Sequence, residues 1–248
     1  MTMPRANNAH TVRQFDTELE ELRGLVLKMG TLVVQQIKDG IEGLLNDKLA
    51  LAKMVQRRED WVDAMEVEAD DLIVDLLVRR QPVGPDLRAI LSLGKSVRDL
   101  ERMGDEAERI SRTAIEAHER NPGFKPSSEL LRDVAPMGQL AIALVEGSLR
   151  ALTKLDLSDA LAVTRRDEEL DGSFRAGLRR LATFIMEDSR TVGNVIDSTF
   201  VLKSLERIGD HATNIAEHVI YLVRGKDVRH LGSSEEIEKA LKTSDDAD

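Results

Sequence analysis

The chain has 248 residues, a net charge of −10, no cysteine, and aromatic side chains limited to five Phe, one Tyr and one Trp. Without cysteine there are no disulfides, thiolate metal sites or Cys nucleophiles, and the acidic balance argues against sequence-independent nucleic-acid binding or adhesion to an anionic membrane surface. Hydrophobic residues make up 42%, and with so few aromatics the core must be built from Leu, Ile, Val, Ala and Met, which suit helix-on-helix packing.

The first periodic segment starts near His10. Phe15, Leu19, Leu22, Val26, Met29, Val33, Ile37 and Ile41 recur every three or four residues, the stripe of an amphipathic helix. Asp47 is a plausible N-cap for a second helix over about 48–79, which carries Leu51, Met54, Val55, Val62, Met65, Leu72, Ile73 and Leu76. Pro82, Gly84 and Pro85 then break the pattern, and Pro85 suits the first turn of a third helix over about 86–119. The Pro-, Gly- and Ser-containing stretch 121–128 is the clearest linker. Beyond it a helix is expected over about 128–154, with Pro136 as a possible kink. Asp156 and Ser158 offer caps for a fifth helix ending near Asp188, and a sixth runs over about 194–224 with Gly225 at the position of a C-terminal cap. The tail beyond Gly232 is polar and acidic, a short helix or a disordered segment. No segment alternates with period two. The expected fold is all-α: two tandem antiparallel three-helix bundles over 8–121 and 127–225, then a polar tail over 226–248.

The halves repeat each other. Leu100-Glu101-Arg102-Met103-Gly104-Asp105 in the third helix matches Leu205-Glu206-Arg207-Ile208-Gly209-Asp210 in the sixth at five of six positions. Arg57-Arg58-Glu59-Asp60-Trp61-Val62-Asp63 parallels Arg165-Arg166-Asp167-Glu168-Glu169-Leu170-Asp171. Four pairs of carboxylates thus stand four residues apart, on one helical face each: Glu59 with Asp63, Glu101 with Asp105, Asp167 with Asp171, and Glu206 with Asp210. Like charges at that spacing repel by roughly a few tenths of a kcal/mol, and a cation between them reverses the sign. If the second and third helices of each half are neighbours, four carboxylates can face one ion. Oxygen-only ligation suits hard cations such as magnesium, calcium or manganese, and also iron. The sixth helix buries Leu202, Leu205, Ile208, Ala212, Ile215 and Val219, which sets Glu206 and Asp210 to one side and puts the expected site on the bundle surface. Solvated acidic faces are common, and a lone Glu-x-x-x-Asp says little; the repetition in both halves carries the metal reading.

Gly104 and Gly209 each cost about 1 kcal/mol against Ala in a helix, so close helix approach, or close approach of an ion cluster, is expected there. Arg102 and Arg207 are expected to pair with carboxylates across helices. His118, His211 and His218 have no partner pattern and are read as surface residues. Gly94-Lys95-Ser96 lacks the upstream glycine of a phosphate-binding loop, since Ala89 stands there, and falls inside a helix. No Glu is followed three residues later by His, which excludes the di-iron bundle motif, and no nucleophile–base pair or acid–base pair can be argued. No catalytic residue is therefore expected. The first ten residues lack an apolar signal core and no run of eighteen apolar residues occurs, so a cytoplasmic protein is the expectation.

These motifs resemble the PhoU family. The Glu-Arg-Ile-Gly-Asp run, Asn214-Ile215-Ala216-Glu217 and Gly225-Lys226-Asp227-Val228-Arg229-His230 look like its C-terminal signature. Met186-Glu187-Asp188-Ser189-Arg190-Thr191, Arg79-Arg80-Gln81-Pro82 and Phe15-Asp16 with Glu18-Leu19 resemble its other marked segments, covering about residues 10–232. The resemblance implies pseudo-two-fold symmetry between the bundles. It implies metal clusters at Glu101, Asp105, Glu206 and Asp210, with Glu59, Asp63, Asp167 and Asp171 facing them; the ion is left open among iron, manganese, magnesium and zinc. It also implies a negative regulator of phosphate uptake and phosphate-starvation signalling. Such a regulator couples the ATPase subunit of a phosphate ABC transporter to a membrane sensor histidine kinase, as a homodimer or larger assembly. The alternative is a metal-buffering bundle without a signalling role. In the first copy Asp105 is followed by Glu106-Ala107-Glu108-Arg109, without the Asn of the second, and Trp61 sits between Glu59 and Asp63. The C-terminal site is therefore expected to be the better formed.

Overall fold

The computed structural model describes residues 6–120, 129–231 and 233–245. Its helices are α1 (Ala6–Leu45), α2 (Leu49–Arg80), α3 (Pro85–Arg120), α4 (Val134–Lys154), α5 (Leu157–Glu187), α6 (Val192–Arg224) and α7 (Ser234–Asp245), with a 3-10 turn at Ser189–Thr191 before α6. There is no strand among the described residues, and no helix in them is long and apolar enough to cross a membrane. The expected linker over 121–128, including the first residue of the helix expected at 128, lies outside the described residues, as does the end of the tail.

α1, α2 and α3 pack on one another, and so do α4, α5 and α6. The bundles then join through α3 against α6 and α1 against α4. The sequence pattern explains the packing. Leu22, Val26, Met29, Val33 and Ile37 of α1 are fully buried, as are Leu202, Leu205, Ile208, Ala212, Ile215 and Val219 of α6. Between α1 and α4, Gly30 leaves room for the Leu149 side chain and Gly138 for that of Ile41.

Several local expectations change. Asp47 does not cap α2: it takes a left-handed backbone (φ 53°), and its carboxylate accepts a 2.8 Å hydrogen bond from His118 Nδ1. α4 starts at Val134, so Pro136 falls in the first turn, where its missing N–H has no intrahelical role. Asp156 caps α5 as expected, accepting from the backbone N–H groups of Ser158 and Asp159. Gly225 ends α6 in the left-handed region (φ 69°). The tail forms α7 against α5, with Ile237 and Leu241 buried and an ion pair of 2.5 Å from Arg165 to Glu238.

Candidate metal centres and the polar seam between the bundles

In the first half the predicted carboxylates face each other across the α2–α3 seam, at different depths. Asp63 is exposed, Glu101 and Asp105 are partly buried, and Glu59 is buried. Glu59 Oε2 accepts a 2.7 Å bond from Gln36 of α1, and its Oε1 has no partner. Burial, then the nearby Asp63 and Asp105 carboxylates, push Glu59 up to about 7. Glu101 is raised by burial and by Asp105, and its Oε2 is also without a hydrogen bond. The site is thus a seam with one carboxylate sunk inside, rather than the purely surface cluster the sequence suggests. Arg102 pairs within its own helix, reaching Glu101 at 3.2 Å and Asp105 at 3.1 Å. It supplies the positive charge that these acids would otherwise take from an ion. Glu66, outside the repeated motifs, is raised by burial and by Asp70 and adds a carboxylate to this group; its place one turn beyond Asp63 is the signal the sequence offers.

The second half is organised differently. One oxygen from each of Asp171, Glu206 and Asp210 lies within 4.8 Å of the others. No comparable three-oxygen group occurs in the first half among the described residues. Asp167 lies deeper at the α5–α6 seam. Its Oδ1 is buried without a partner, and burial with the Asp210 and Asp171 carboxylates pushes it up to about 7. Asp210, at the mouth, is pushed up to about 6 by the packing around it and by Glu206. Lys203 pairs with Glu206 from the rim. Arg207, the counterpart of Arg102, turns away and pairs across the bundles with Glu106 at 2.7 Å. With Arg207 turned away, the second cluster has the Lys203 ammonium on Glu206 where the first has the Arg102 guanidinium on Glu101 and Asp105. Clustered carboxylates with a buried oxygen lacking a protein partner fit a hard divalent or trivalent cation. Asp167, Asp171, Glu206 and Asp210 are the residues that would hold it.

The repeat glycines make these seams. A Cβ on Gly104 would stand 2.8 Å from Glu59 Oε1. On Gly209 it would lie far inside contact with Leu170, 3.1 Å from Asp167 Oδ1 and 3.3 Å from Leu144. Leu170 and Leu144 are fully buried and cannot swing away. Gly209→Ala is therefore expected to destabilise by about 1–2 kcal/mol despite the gain in helix propensity, because overpacking outweighs it. Gly172→Ala, with nothing within 4 Å of the new methyl, should stabilise by roughly 0.5–1 kcal/mol. Urea midpoints of the two variants would reveal equal effects if the packing account were wrong.

A third polar group, not legible in the sequence, lies between the bundles. Asp99 of α3 accepts hydrogen bonds from His211 (2.9 Å), Asn214 (3.0 Å) and His218 (3.0 Å), all on α6. Burial alone would raise Asp99, but bonds from His211, His218 and Asn214 hold it below the usual carboxylate range. The reading of His118, His211 and His218 as free surface residues is corrected: each bonds a carboxylate, and His218 is buried. Their spacing of seven residues placed His211 and His218 on one face, but the partner lies on another helix. Further along the seam Glu106 is buried, and accepts from Ser204 Oγ at 2.8 Å.

Glu217, close by, is pushed up to about 7 by burial and by the Asp227 carboxylate. A raised carboxyl binds its proton more tightly in the folded state, so its stabilising effect is full at low pH and is lost as pH rises from about 4.5 through 7. Glu217→Gln should gain on the order of 1 kcal/mol over wild type at pH 8, after allowing for solvent screening, and nothing near pH 4. Thermal melts across pH 4–8 give the comparison; a constant difference would show that charge is not the cause.

The fold and these sites together define a class: an all-helical protein of two repeated three-helix bundles, with acidic clusters at both inner seams. The PhoU domain family model matches residues 26–114 and again 134–219. A phosphate-specific transport system accessory protein PhoU homolog of Pseudomonas aeruginosa is 43% identical over 90% of this chain and 90% of that protein. The Escherichia coli K12 phosphate-specific transport system accessory protein PhoU is 37% identical over 96% of each chain. The crystal structure of PhoU from P. aeruginosa aligns with a TM-score of 0.80 and 41% identity, over 86% of this chain and 100% of that one. That of the phosphate transport system regulatory protein PhoU from Streptococcus pneumoniae gives 0.77 and 25%, over 86% and 99%. This chain belongs to the PhoU family.

Proposed function

We propose that this chain is a negative regulator of phosphate uptake and phosphate-starvation signalling. It associates with the ATPase subunit of a phosphate ABC transporter and holds a membrane sensor histidine kinase quiet when phosphate is plentiful. The observation that carries this reading is the PhoU domain in both halves, together with near full-length relatives that bear a transport-accessory name. The protein acts by docking on the cytoplasmic side, not by catalysis. Long packed helices suit that task, since they offer extended faces to partner segments. A homodimer is part of this reading, and the exposed Val67, Val74 and Val78 stripe of α2 gives a second copy an apolar face to cover.

A metal ion is the modulatory ligand, held first by Asp171, Glu206 and Asp210 with Asp167 beneath them. The three close oxygens and the unpartnered Asp167 Oδ1 support this. The first-half carboxylates Glu59, Asp63, Glu101 and Asp105 form the weaker site, because Arg102 already neutralises two of them. Iron, manganese, magnesium and zinc all remain candidates on donor chemistry. The acidic clusters alone also support the alternative, metal buffering without signalling.

The test is alkaline phosphatase activity in phosphate-rich medium in a strain lacking this gene. High activity, restored to low by the wild-type gene, supports the regulator. Low activity in the deletion strain would count against it and favour the buffering reading.

A further inference from the structure

By the Asp171–Glu206–Asp210 cluster, the α5–α6 seam buries two oxygens that no described residue hydrogen-bonds: Asp167 Oδ1 and the Thr213 hydroxyl. The two side chains are neighbours. Burial and the Asp210 and Asp171 carboxylates raise Asp167, and the Thr213 hydroxyl beside it opposes them. Buried polar atoms without a partner are rare in folded proteins, and a pair of them side by side marks a place for something bound.

Thr213 lies outside the repeated carboxylate motifs, but the helix puts it in line with them. Glu206, Asp210 and Thr213 follow one another at spacings of four and three residues, so all three stand on one stripe of α6. Gly209 is where Asp167 comes against that helix: a Cβ there would stand 3.1 Å from Asp167 Oδ1. Thr213 is one turn further on and flanks the same carboxylate.

The first bundle has a different group in this place. At the offset of 105 residues that relates the halves, Thr213 corresponds to Glu108. Burial first, then the Asp63, Asp105 and Glu108 carboxylates raise Glu59, so Glu108 stands near the buried acid of its half as Thr213 does in the second. Glu108 already accepts a 2.7 Å bond from Arg112. The first half thus offers a charged group that is engaged, and the second a neutral hydroxyl that is not.

We infer that Thr213 is a neutral oxygen donor of the second metal centre, joining Asp167, Asp171, Glu206 and Asp210 around a hard cation. This rests on the metal reading above. Hard cations take neutral oxygens beside carboxylates, and a hydroxyl adds a donor without adding charge to a crowded acidic cluster. It carries two lone pairs for an ion and one proton for a neighbouring carboxylate.

Manganese titrations of the metal-free chain, with the free ion read by electron paramagnetic resonance, test this. Thr213→Val keeps the shape and removes the oxygen. It should bind at the tight site about tenfold more weakly, or worse. In EDTA it should melt at or above the wild-type temperature, because an unpartnered buried hydroxyl is gone. Those two signs together separate a donor from a packing residue. Thr213→Ser should bind close to wild type. Thr199→Val, which removes an α6 hydroxyl already bonded to the Val195 carbonyl, should not change binding. If Thr213→Val melts below wild type in EDTA, Thr213→Ser and Thr213→Ala, which differ by the hydroxyl alone, carry the same tenfold expectation. A Thr213→Val chain that binds as tightly as wild type, or a Thr213→Ser chain that binds as weakly as Thr213→Val, overturns the inference. If Asp210→Asn abolishes tight binding in that case, the metal centre stands without Thr213. A wild-type chain that binds no manganese, or binds it no better than Asp210→Asn, removes the metal centre and Thr213 with it.

Discussion

Asp99→Ala is expected to lower the stability of the protein by about 3 kcal/mol, since it removes one side of a buried, charge-assisted network. The carboxylate of Asp99 receives three hydrogen bonds from α6, two of them from imidazoles, and these bonds tie α3 of one bundle to α6 of the other. With alanine there, His218 stays buried and loses its acceptor, and His211 and Asn214 must turn to water. Asp99→Asn keeps the shape but not the charge, and should cost less. The pH dependence has a definite sign. The Asp99 carboxyl is depressed in the folded state, so its contribution is present above the unfolded value near about 4 and lost as pH falls through the folded value. The gap between wild type and Asp99→Ala should therefore narrow on acidification. Denaturant unfolding at pH 7 and pH 3.5 measures both. A loss under about 1 kcal/mol at pH 7 would mean that the seam tolerates an unpaired His218 and that Asp99 is not its organiser.

Adding manganese to the metal-free protein should raise its melting temperature, while Asp210→Asn should do two opposite things. An ion at a hundred times its dissociation constant stabilises the folded state by about 2.7 kcal/mol, or roughly 5–10 °C for a chain of this size. Asp210→Asn removes one of the proposed ligands, so most of that increment should vanish. In the absence of metal the same variant should be more stable than wild type at pH 8 by roughly 1 kcal/mol, because it relieves the partial burial of charge and then the repulsion from Glu206 and Asp171 that together raise the Asp210 carboxyl. Glu101→Gln provides the contrast: Arg102 already sits at 3.2 Å from Glu101 and 3.1 Å from Asp105, so the manganese increment should survive. Equal losses from the two variants would show that the halves bind alike. A melting temperature unmoved by manganese, magnesium, iron(II) or zinc would remove the metal from the proposed function.

The order and inner faces of the first six helices were legible in the sequence because they rest on local spacing; the seventh, α7, was left open between a short helix and disorder. A period of 3.6 identifies the face to be buried whatever it packs against, so the α1 and α6 stripes could be named residue by residue. The internal repeat was legible for the same reason, and with it the eight carboxylates. Boundaries were less secure where a local signal competed with a distant one. Asp47 has the chemistry of an N-cap, but His118 on α3 takes its carboxylate instead. Depth and pairing were not legible at all. Arg102 and Arg207 stand in matching motifs, yet one balances its own helix and the other reaches Glu106 in the opposite bundle.

The sequence by itself determined an acidic, all-helical, duplicated chain and the repeated carboxylate pairs proposed to hold a cation. Only the tertiary structure decided which of those carboxylates come together, Asp171, Glu206 and Asp210. It also decided that Asp99, 112 and 119 residues before two histidines, is their common partner. The physical reason is range. Helical periodicity is written over a few residues, whereas desolvation and charge pairing of this kind arise only when two bundles distant in the chain are packed face to face.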